Sequence, residues 1–147
     1  ASGINDAAAA VLLMEAGAAK ARGAKPLARL VGYAHAGVEP KTMGIGPVPA
    51  TQQLLQKLGM KIDQMDVIEA NEAFAAQALA VMRGLGLDPA RTNPNGGAIA
   101  LGHPVGCSGA FITTKALHEL QRIGGRYALV TMCIGGGQGI AVIFERL

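Results

Sequence analysis

The sequence has no Trp, and aromatic side chains make up only 3% of its 147 residues. Its two Cys residues are too few for a disulfide framework, and no Cys/His spacing resembles a zinc site. The longest apolar run, residues 7–14, is far shorter than the roughly 20 residues of a membrane span, and no secretory signal is visible. We therefore expect a cytoplasmic protein without a membrane partner.

Charge is also sparse, at 16% of residues with a net charge of +3. The Lys and Arg residues are scattered singly, without an aromatic platform, which is typical of a solvated surface. The clustered basic footprint of a nucleic-acid-binding protein is missing, so we expect no such partner. Hydrophobic residues make up 50% of the chain, enough to bury a sizeable core built from aliphatic side chains.

Glycine is abundant, with 21 residues, and it clusters around residues 96–109 and 135–139. Clustered glycine indicates backbone that passes close to a ligand or adopts positive φ.

The order of strand-like and helix-like segments predicts an α/β fold with a mixed sheet. Residues 7–14 stay open between helix and buried strand, because periodicity alone cannot assign a short apolar run. The last two strands are joined by a turn too short for a crossover helix, which predicts an antiparallel hairpin. The predicted strands are 27–38, 66–70, 127–133 and 140–146; the predicted helices are 15–22, 50–58, 72–85 and 105–123, with a loop at 39–49. Residues 27–147 form one compact domain in this interpretation, and residues 1–26 look like the tail of another.

A polar pair, Asn71 and Glu72, directly follows the predicted strand 66–70. The carboxyl end of a strand is where α/β folds place active sites. Asn71 could equally be a simple cap of the next helix, since Asn is a common capping residue.

His103 precedes Pro104, the predicted start of the long helix, and lies in a glycine-rich segment, residues 93–109. The glycines would leave access to the imidazole ring. A lone His at this position is often only a cap, but that reading does not explain the surrounding glycines.

Cys133 ends an apolar strand and is followed by a glycine-rich turn, residues 135–139. A free Cys is often just a small buried hydrophobe. Glycine N–H groups beside a thiol can instead form an oxyanion hole, which favours a catalytic role.

Three further features are weaker signals. The loop of residues 41–47 has room for a ligand against Met43. Cys107 lies in the first turn of the predicted helix, where a nucleophile is possible but a packed small residue is more common. Glu69 and Glu72 are three apart, but an acid–base pair is not favoured because Glu69 falls in a strand.

Residues 71–74, 93–109 and 133–139 resemble the three C-terminal hallmarks of the thiolase family, in the same order and at similar separations. Residues 1–6 and 43–47 add to the resemblance, which runs along the whole chain. It is strongest to bacterial β-ketothiolases and acetyl-CoA acetyltransferases. It implies a thiolase-type C-terminal domain with a mixed five-stranded sheet, in a βαβαβαββ-like order.

The resemblance also implies roles for individual residues in the chemistry of coenzyme A thioesters. His103 would activate a nucleophilic Cys and then help to hold the thioester oxygen, and Asn71 would fix a water that completes that oxyanion hole. Cys133 would be the acid/base that exchanges a proton with the α-carbon, and the Gly135 N–H would serve a second oxyanion hole. The substrate-binding residues implied are Ser2, on the pantetheine arm, with Met43 and Phe74 lining the thioester pocket.

The family's covalent nucleophile belongs to an N-terminal half that residues 1–147 do not include. We therefore expect residues 1–26 to be the end of that N-terminal domain, 27–147 to be the C-terminal domain, and this polypeptide alone to be inactive. Its expected partners are CoA thioesters as substrates, the N-terminal half of the same enzyme, and further copies in a homodimer or homotetramer, with no covalently bound cofactor. Two alternatives remain: a non-catalytic thiolase-fold subunit that binds CoA or assists assembly, and a ketoacyl synthase, in which a second His would replace Cys133.

Overall fold

The computed structural model describes residues 3–147 and shows an α/β domain built on a four-stranded sheet of order β1-β4-β3-β2. β1 and β4 are antiparallel, β4 and β3 are antiparallel, and β3 and β2 are parallel, so the sheet is mixed as predicted. The strands are β1 (Ala28–Gly37), β2 (Val67–Ala70), β3 (Tyr127–Ile134) and β4 (Gln138–Arg146).

Five α-helices accompany the sheet in the described part of the chain, with two short 3-10 segments at Pro40–Ile45 and Ile62–Gln64. The helices are α1 (Ala16–Ala21), α2 (Pro47–Leu58), α3 (Ala75–Leu85), α4 (Ala98–Leu101) and α5 (Ser108–Ile123).

The helices begin and end where local chemistry favours it. α2 starts at Pro47, whose fixed φ suits the first helical position, and it stops at Gly59, which adopts φ 63°. α5 buries Ile112, Ala116 and Leu120, which are spaced four apart and so share one helix face.

The sheet is covered on both faces, so its central side chains alternate between two apolar clusters. Leu129 of β3 packs into the cluster that contains Leu54 of α2. Its neighbours Ala128 and Val130 pack into the cluster that contains Leu120 of α5. Burial of a side chain such as Leu54 or Leu129 stabilises the fold by about 1.5–3 kcal/mol. α5 therefore packs against one face of the sheet, next to β2, the strand that Asn71 follows.

Several predicted boundaries were wrong. The sheet has four strands rather than five; a single parallel bridge between Ile68 and Thr92 extends it beyond β2 before the chain turns at Asn93, which has φ 49°. Residues 7–14, for which helix and strand were left open, form neither and are exposed. The predicted loop 39–49 contains a 3-10 segment and the first turn of α2.

The predicted helices 72–85 and 105–123 begin three residues later than expected, at Ala75 and Ser108. Before α5, residues 104–107 form a turn instead of the first turn of the helix. In this turn the Pro104 carbonyl accepts the N–H groups of Cys107 and Ser108. The predicted C-terminal hairpin is confirmed by the antiparallel pairing of β3 and β4.

Candidate active site

Asn71 leaves the carboxyl end of β2, and its backbone N–H donates to Thr131 O of β3 at 3.0 Å. It does not cap α3, which begins at Ala75 after Phe74. The Asn71 side chain is buried, and its Nδ2 lies 3.4 Å from His103 Nε2. The structure therefore brings together two of the predicted site residues across 32 positions of sequence.

His103 is held through its other ring nitrogen. Its Nδ1 lies 2.6 Å from Ser108 Oγ, and the Ser108 hydroxyl donates to Pro104 O at 2.9 Å. The hydroxyl has one proton, so Nδ1 must be the donor to Ser108 Oγ. The lone pair of the neutral ring is then on Nε2, which faces the Asn71 amide and can accept a proton.

The backbone of the His103 segment is also anchored. His103 N–H donates to Asn5 Oδ1 at 3.0 Å, so the N-terminal part of the chain touches this segment directly. Gly102 adopts φ 95°, and a Cβ there would lie 2.8 Å from the Asn5 side chain. A larger residue at position 102 would therefore displace Asn5 or the loop.

Cys133 lies near the end of β3, the strand beside β2, and its side chain is buried. Desolvation raises the pKa of its thiol above the ordinary value. The thiol therefore holds its proton to a higher pH than an unperturbed cysteine does. Among residues 3–147, no hydrogen bond joins this thiol to His103 or Asn71.

The turn after Cys133 is open on one side and tightly packed on the other. Gly135 is exposed, with no atom within 4 Å of the place where a Cβ would be. Gly139 lies so close to Gly46 that a Cβ would meet the Gly46 carbonyl carbon at 2.1 Å. This contact fixes the 3-10 segment Pro40–Ile45, which carries Met43, against the Cys133 hairpin.

The predicted substrate-binding residues fall in different places. Met43 is partly buried, whereas Phe74 is 42% exposed at the start of α3. Ser2 lies outside the described residues. Among the described residues, no hydrogen bond joins Met43 or Phe74 to the Asn71–His103 pair, and the roles of all three residues stay predictions.

Sequence reasoning missed two residues that support the site. From the sequence, Ser108 was only one residue of the glycine-rich segment 93–109, yet its hydroxyl sets the orientation of the His103 ring. Asn93 was likewise only the first residue of that segment, yet its side chain pairs with both the N–H and the C=O of Ala70, at 3.0 and 2.9 Å. A helical Ser five residues after a His is a weak signal, because the contact depends on the turn between them.

The two features judged unfavourable from the sequence have structural roles. Cys107 is buried at the start of α5, as a packed small residue would be. Glu69 lies in β2 and Glu72 outside α3, so the two carboxylates do not share a helix face. In the described part of the chain, no cluster of three or more His, Cys, Asp or Glu could hold a metal ion, and none of the helices is long and apolar enough to cross a membrane.

The fold and these motifs place the chain in a known class. The chain belongs to the thiolase family, since residues 24–146 match the description "Thiolase, C-terminal domain". Over all of its 147 residues it is 70% identical to the β-ketothiolase BktB of Cupriavidus necator and 58% identical to the acetyl-CoA acetyltransferase of Escherichia coli K12. It spans only 37% of the length of either relative.

Solved structures agree. The chain is similar to the Bacillus anthracis acetyl-CoA acetyltransferase, with a TM-score of 0.89 and 49% identity over 91% of this chain and 34% of that one. It is also similar to human mitochondrial 3-ketoacyl-CoA thiolase in complex with CoA, with a TM-score of 0.88 and 56% identity over 90% of this chain and 34% of that one. The predicted α/β thiolase fold is confirmed, with one strand fewer than expected.

Proposed function

We propose that this chain is the C-terminal part of a thiolase that catalyses CoA-dependent Claisen condensation or its reverse. In condensation, two acetyl-CoA give acetoacetyl-CoA and CoA; in thiolysis, a 3-ketoacyl-CoA and CoA give an acyl-CoA shortened by two carbons and acetyl-CoA. The contact between the Asn71 amide and the His103 imidazole is the observation that carries the proposal, because it pairs a proton acceptor with a hydrogen-bond donor at the end of β2.

His103 has a defined part in this scheme. Its Nε2 lone pair would take the proton of the nucleophilic Cys supplied by the N-terminal half, and the protonated ring would then help to hold the thioester oxygen. The Nδ1–H bond to Ser108 Oγ keeps that lone pair directed away from α5. Asn71 would fix the water that serves the same oxyanion hole.

Cys133 would handle the proton of the α-carbon. In condensation its thiolate form removes that proton from the bound acetyl-CoA, and in thiolysis its thiol returns a proton to the leaving carbanion. The Gly135 N–H would meet the developing enolate oxygen, since aimed backbone donors stabilise charge that appears only in the transition state. The exposed position of Gly135 supports this role.

The remaining functional inferences follow from the same scheme. CoA thioesters are substrates here and no cofactor is covalently bound; Ser2, Met43 and Phe74 would contact the pantetheine arm and the acyl group. The protein would act in the cytoplasm as a homodimer or homotetramer, without nucleic acid or membrane. Residues 1–147 by themselves would be inactive, because the nucleophilic Cys is on the N-terminal half.

The test is thiolysis of acetoacetyl-CoA, and of 3-ketoacyl-CoA substrates with longer chains, by the intact protein, that is, the complete thiolase of which this chain is the proposed C-terminal part. We expect Cys133→Ala to lower kcat by about 10²–10⁴-fold, the range for loss of an acid/base group. Cys107→Ala is the matched control, since it removes the other buried thiol without touching the proposed chemistry. Equal activity of the two variants would contradict the role of Cys133. An intact wild-type protein without thiolysis or condensation would favour the non-catalytic CoA-binding subunit.

A further inference from the structure

The segment of residues 93–103, which carries His103, has little regular structure of its own. Its only helix is α4, of four residues. A loop of this kind needs external anchors if the ring at its end is to meet Asn71 in one geometry. Two acidic residues that the proposed chemistry does not use, Glu69 and Glu72, provide such anchors.

Glu72 holds the outer side of the loop. Its Oε1 accepts a hydrogen bond from Asn93 Nδ2 at 3.3 Å, and its Oε2 accepts the Ile99 N–H at 3.0 Å. The carboxylate lies so close to Gly97 that a Cβ there would meet it at 2.2 Å. One side chain therefore joins both ends of the turn that leads into α4.

Glu69 holds the inner side through α5. Lys115 Nζ donates to Glu69 Oε2 at 3.0 Å and to Gly96 O at 2.5 Å. The side chains of Glu69 and Lys115 are only 1% and 13% exposed. Glu69 Oε1 has no hydrogen-bond partner among the described residues, so the lysine is what compensates the buried carboxylate.

These anchors flank the catalytic amide. Asn71 lies between Glu69 and Glu72 on one short stretch of backbone at the end of β2. The stretch that presents the amide therefore also holds the loop that presents the imidazole. Movement of the loop away from this stretch would break at least one of these contacts.

Resting on the thiolase function proposed above, we propose that Glu72 and the Glu69–Lys115 pair are positioning groups. They hold residues 93–103 in the position in which the His103 ring contacts the Asn71 amide. Neither acts on the substrate. Both act through His103, and misplacement by about 1 Å can cost on the order of 10²-fold in rate.

The experiment compares Glu72→Ala and Glu72→Gln in the intact protein, with the NMR signals of the His103 ring nitrogens as the direct readout. In Glu72→Gln one amide oxygen replaces two acceptors, so one of the two anchoring bonds is lost. We expect the ring signals to shift in Glu72→Gln and more strongly in Glu72→Ala. For acetoacetyl-CoA thiolysis, kcat should fall in the same order, to about 10²-fold in Glu72→Ala, with KM unchanged.

Glu145→Gln is the matched control. Glu145 is also a mostly buried carboxylate, and it pairs with Arg29 and Arg126 away from the loop. Its loss should lower stability without moving the His103 signals. Lys115→Met tests the inner anchor, and the Glu72 variants still decide the question if that variant does not fold.

Ring signals in Glu72→Ala that match the wild type would overturn the proposal, as would an equal shift in Glu145→Gln. The NMR comparison does not require turnover. An inactive wild type would therefore count against the thiolase function, while the ring signals would still report on the positioning claim.

Discussion

The imidazole of His103 has a different partner on each nitrogen, and this asymmetry determines what it can do. Nδ1 donates to Ser108 Oγ, whose own proton is committed to Pro104 O, and Nε2 faces the Asn71 amide. The ring is therefore held as the tautomer that accepts a proton at Nε2. In this site a backbone carbonyl reached through a hydroxyl does the work of an orienting carboxylate.

Replacement of Ser108 by Ala should remove that orientation. The Nδ1–H of His103 would lose its acceptor, at a cost of about 1–3 kcal/mol. We therefore expect kcat for thiolysis by the intact protein to fall about 10- to 100-fold, with little change in KM. Steady-state kinetics would measure the change. Thr114→Ala is a suitable control, because Thr114 makes the same kind of hydroxyl-to-carbonyl bond on α5, to Ala110 O, away from the site. Equal losses in both variants would mean that the effect is on the helix and not on the ring.

Among the elements, α5 has most influence on the site. Its first turn supplies Ser108 and its middle supplies Lys115. Near its end, Glu119 Oε2 accepts a hydrogen bond from Asn95 Nδ2 at 2.9 Å. Three successive parts of one helix thus contact the loop or ring around His103. The apolar stripe of α5 against β3 fixes the position of all three.

Glu119 makes the stabilising contribution of these α5 contacts depend on pH. Hydrogen bonds from Arg122, and then from Asn95, lower the pKa of its carboxyl to about 2. A carboxyl whose folded-state pKa is depressed stabilises the fold above its unfolded pKa of about 4.3, and that contribution is lost as pH falls toward 2. The ion pair is solvent-screened, since Arg122 is 70% exposed, so the contribution is about 1 kcal/mol at most.

We therefore expect Glu119→Gln to be less stable than wild type at neutral pH, with a difference in the free energy of unfolding that shrinks between about pH 4.3 and pH 2. Urea titrations across this range would measure it. Glu39→Gln, on an exposed segment, is the control for removal of a carboxyl charge. A difference for Glu119→Gln that stays constant down to pH 2 would contradict the role of the charge.

At the scale of the whole molecule, the N-terminal residues of the chain expose apolar side chains that a folded protein normally covers. Ile4 is 99%, Leu12 87% and Leu13 72% exposed. Several large apolar side chains exposed along one segment indicate an interface. The same stretch carries Asn5, which holds the His103 backbone, and the chain spans 37% of the length of its relatives. These observations support the proposal that the N-terminal half of a thiolase packs here and completes the site.

A chimera tests that proposal. Residues 1–147 would replace the matching region of Cupriavidus necator BktB, to which they are 70% identical over their full length. We expect the chimera to cleave acetoacetyl-CoA within about tenfold of the parent rate, a difference of about 1.4 kcal/mol in the barrier. The same chimera with Cys133→Ala is the control for background activity. A folded, inactive chimera would show that this chain cannot serve as the C-terminal half of a thiolase.

Local sequence was enough to identify the parts of this protein but not their relative placement. The hairpin of β3 and β4 and the short strand β2 could be predicted, because short apolar runs and a short glycine turn are local signals. The start of α5 could not, because residues 104–107 form a turn before the helix begins. The start of α3 could not, because Glu72 is committed to a contact far away in sequence. By local pattern Glu72 belongs to a helix, yet its carboxylate is bound to Ile99 N–H.

By itself, the sequence determined the family and the α/β class and selected Asn71, His103 and Cys133 as candidate site residues, because short local motifs carry the resemblance to thiolases. Only the tertiary structure decided that Asn71 turns toward His103 instead of capping a helix, that Ser108 selects the ring tautomer, and that Glu69 and Glu72 anchor a loop. The physical reason is that these contacts join residues brought together by packing of α5 and β2, and no local pattern encodes the distance between two elements.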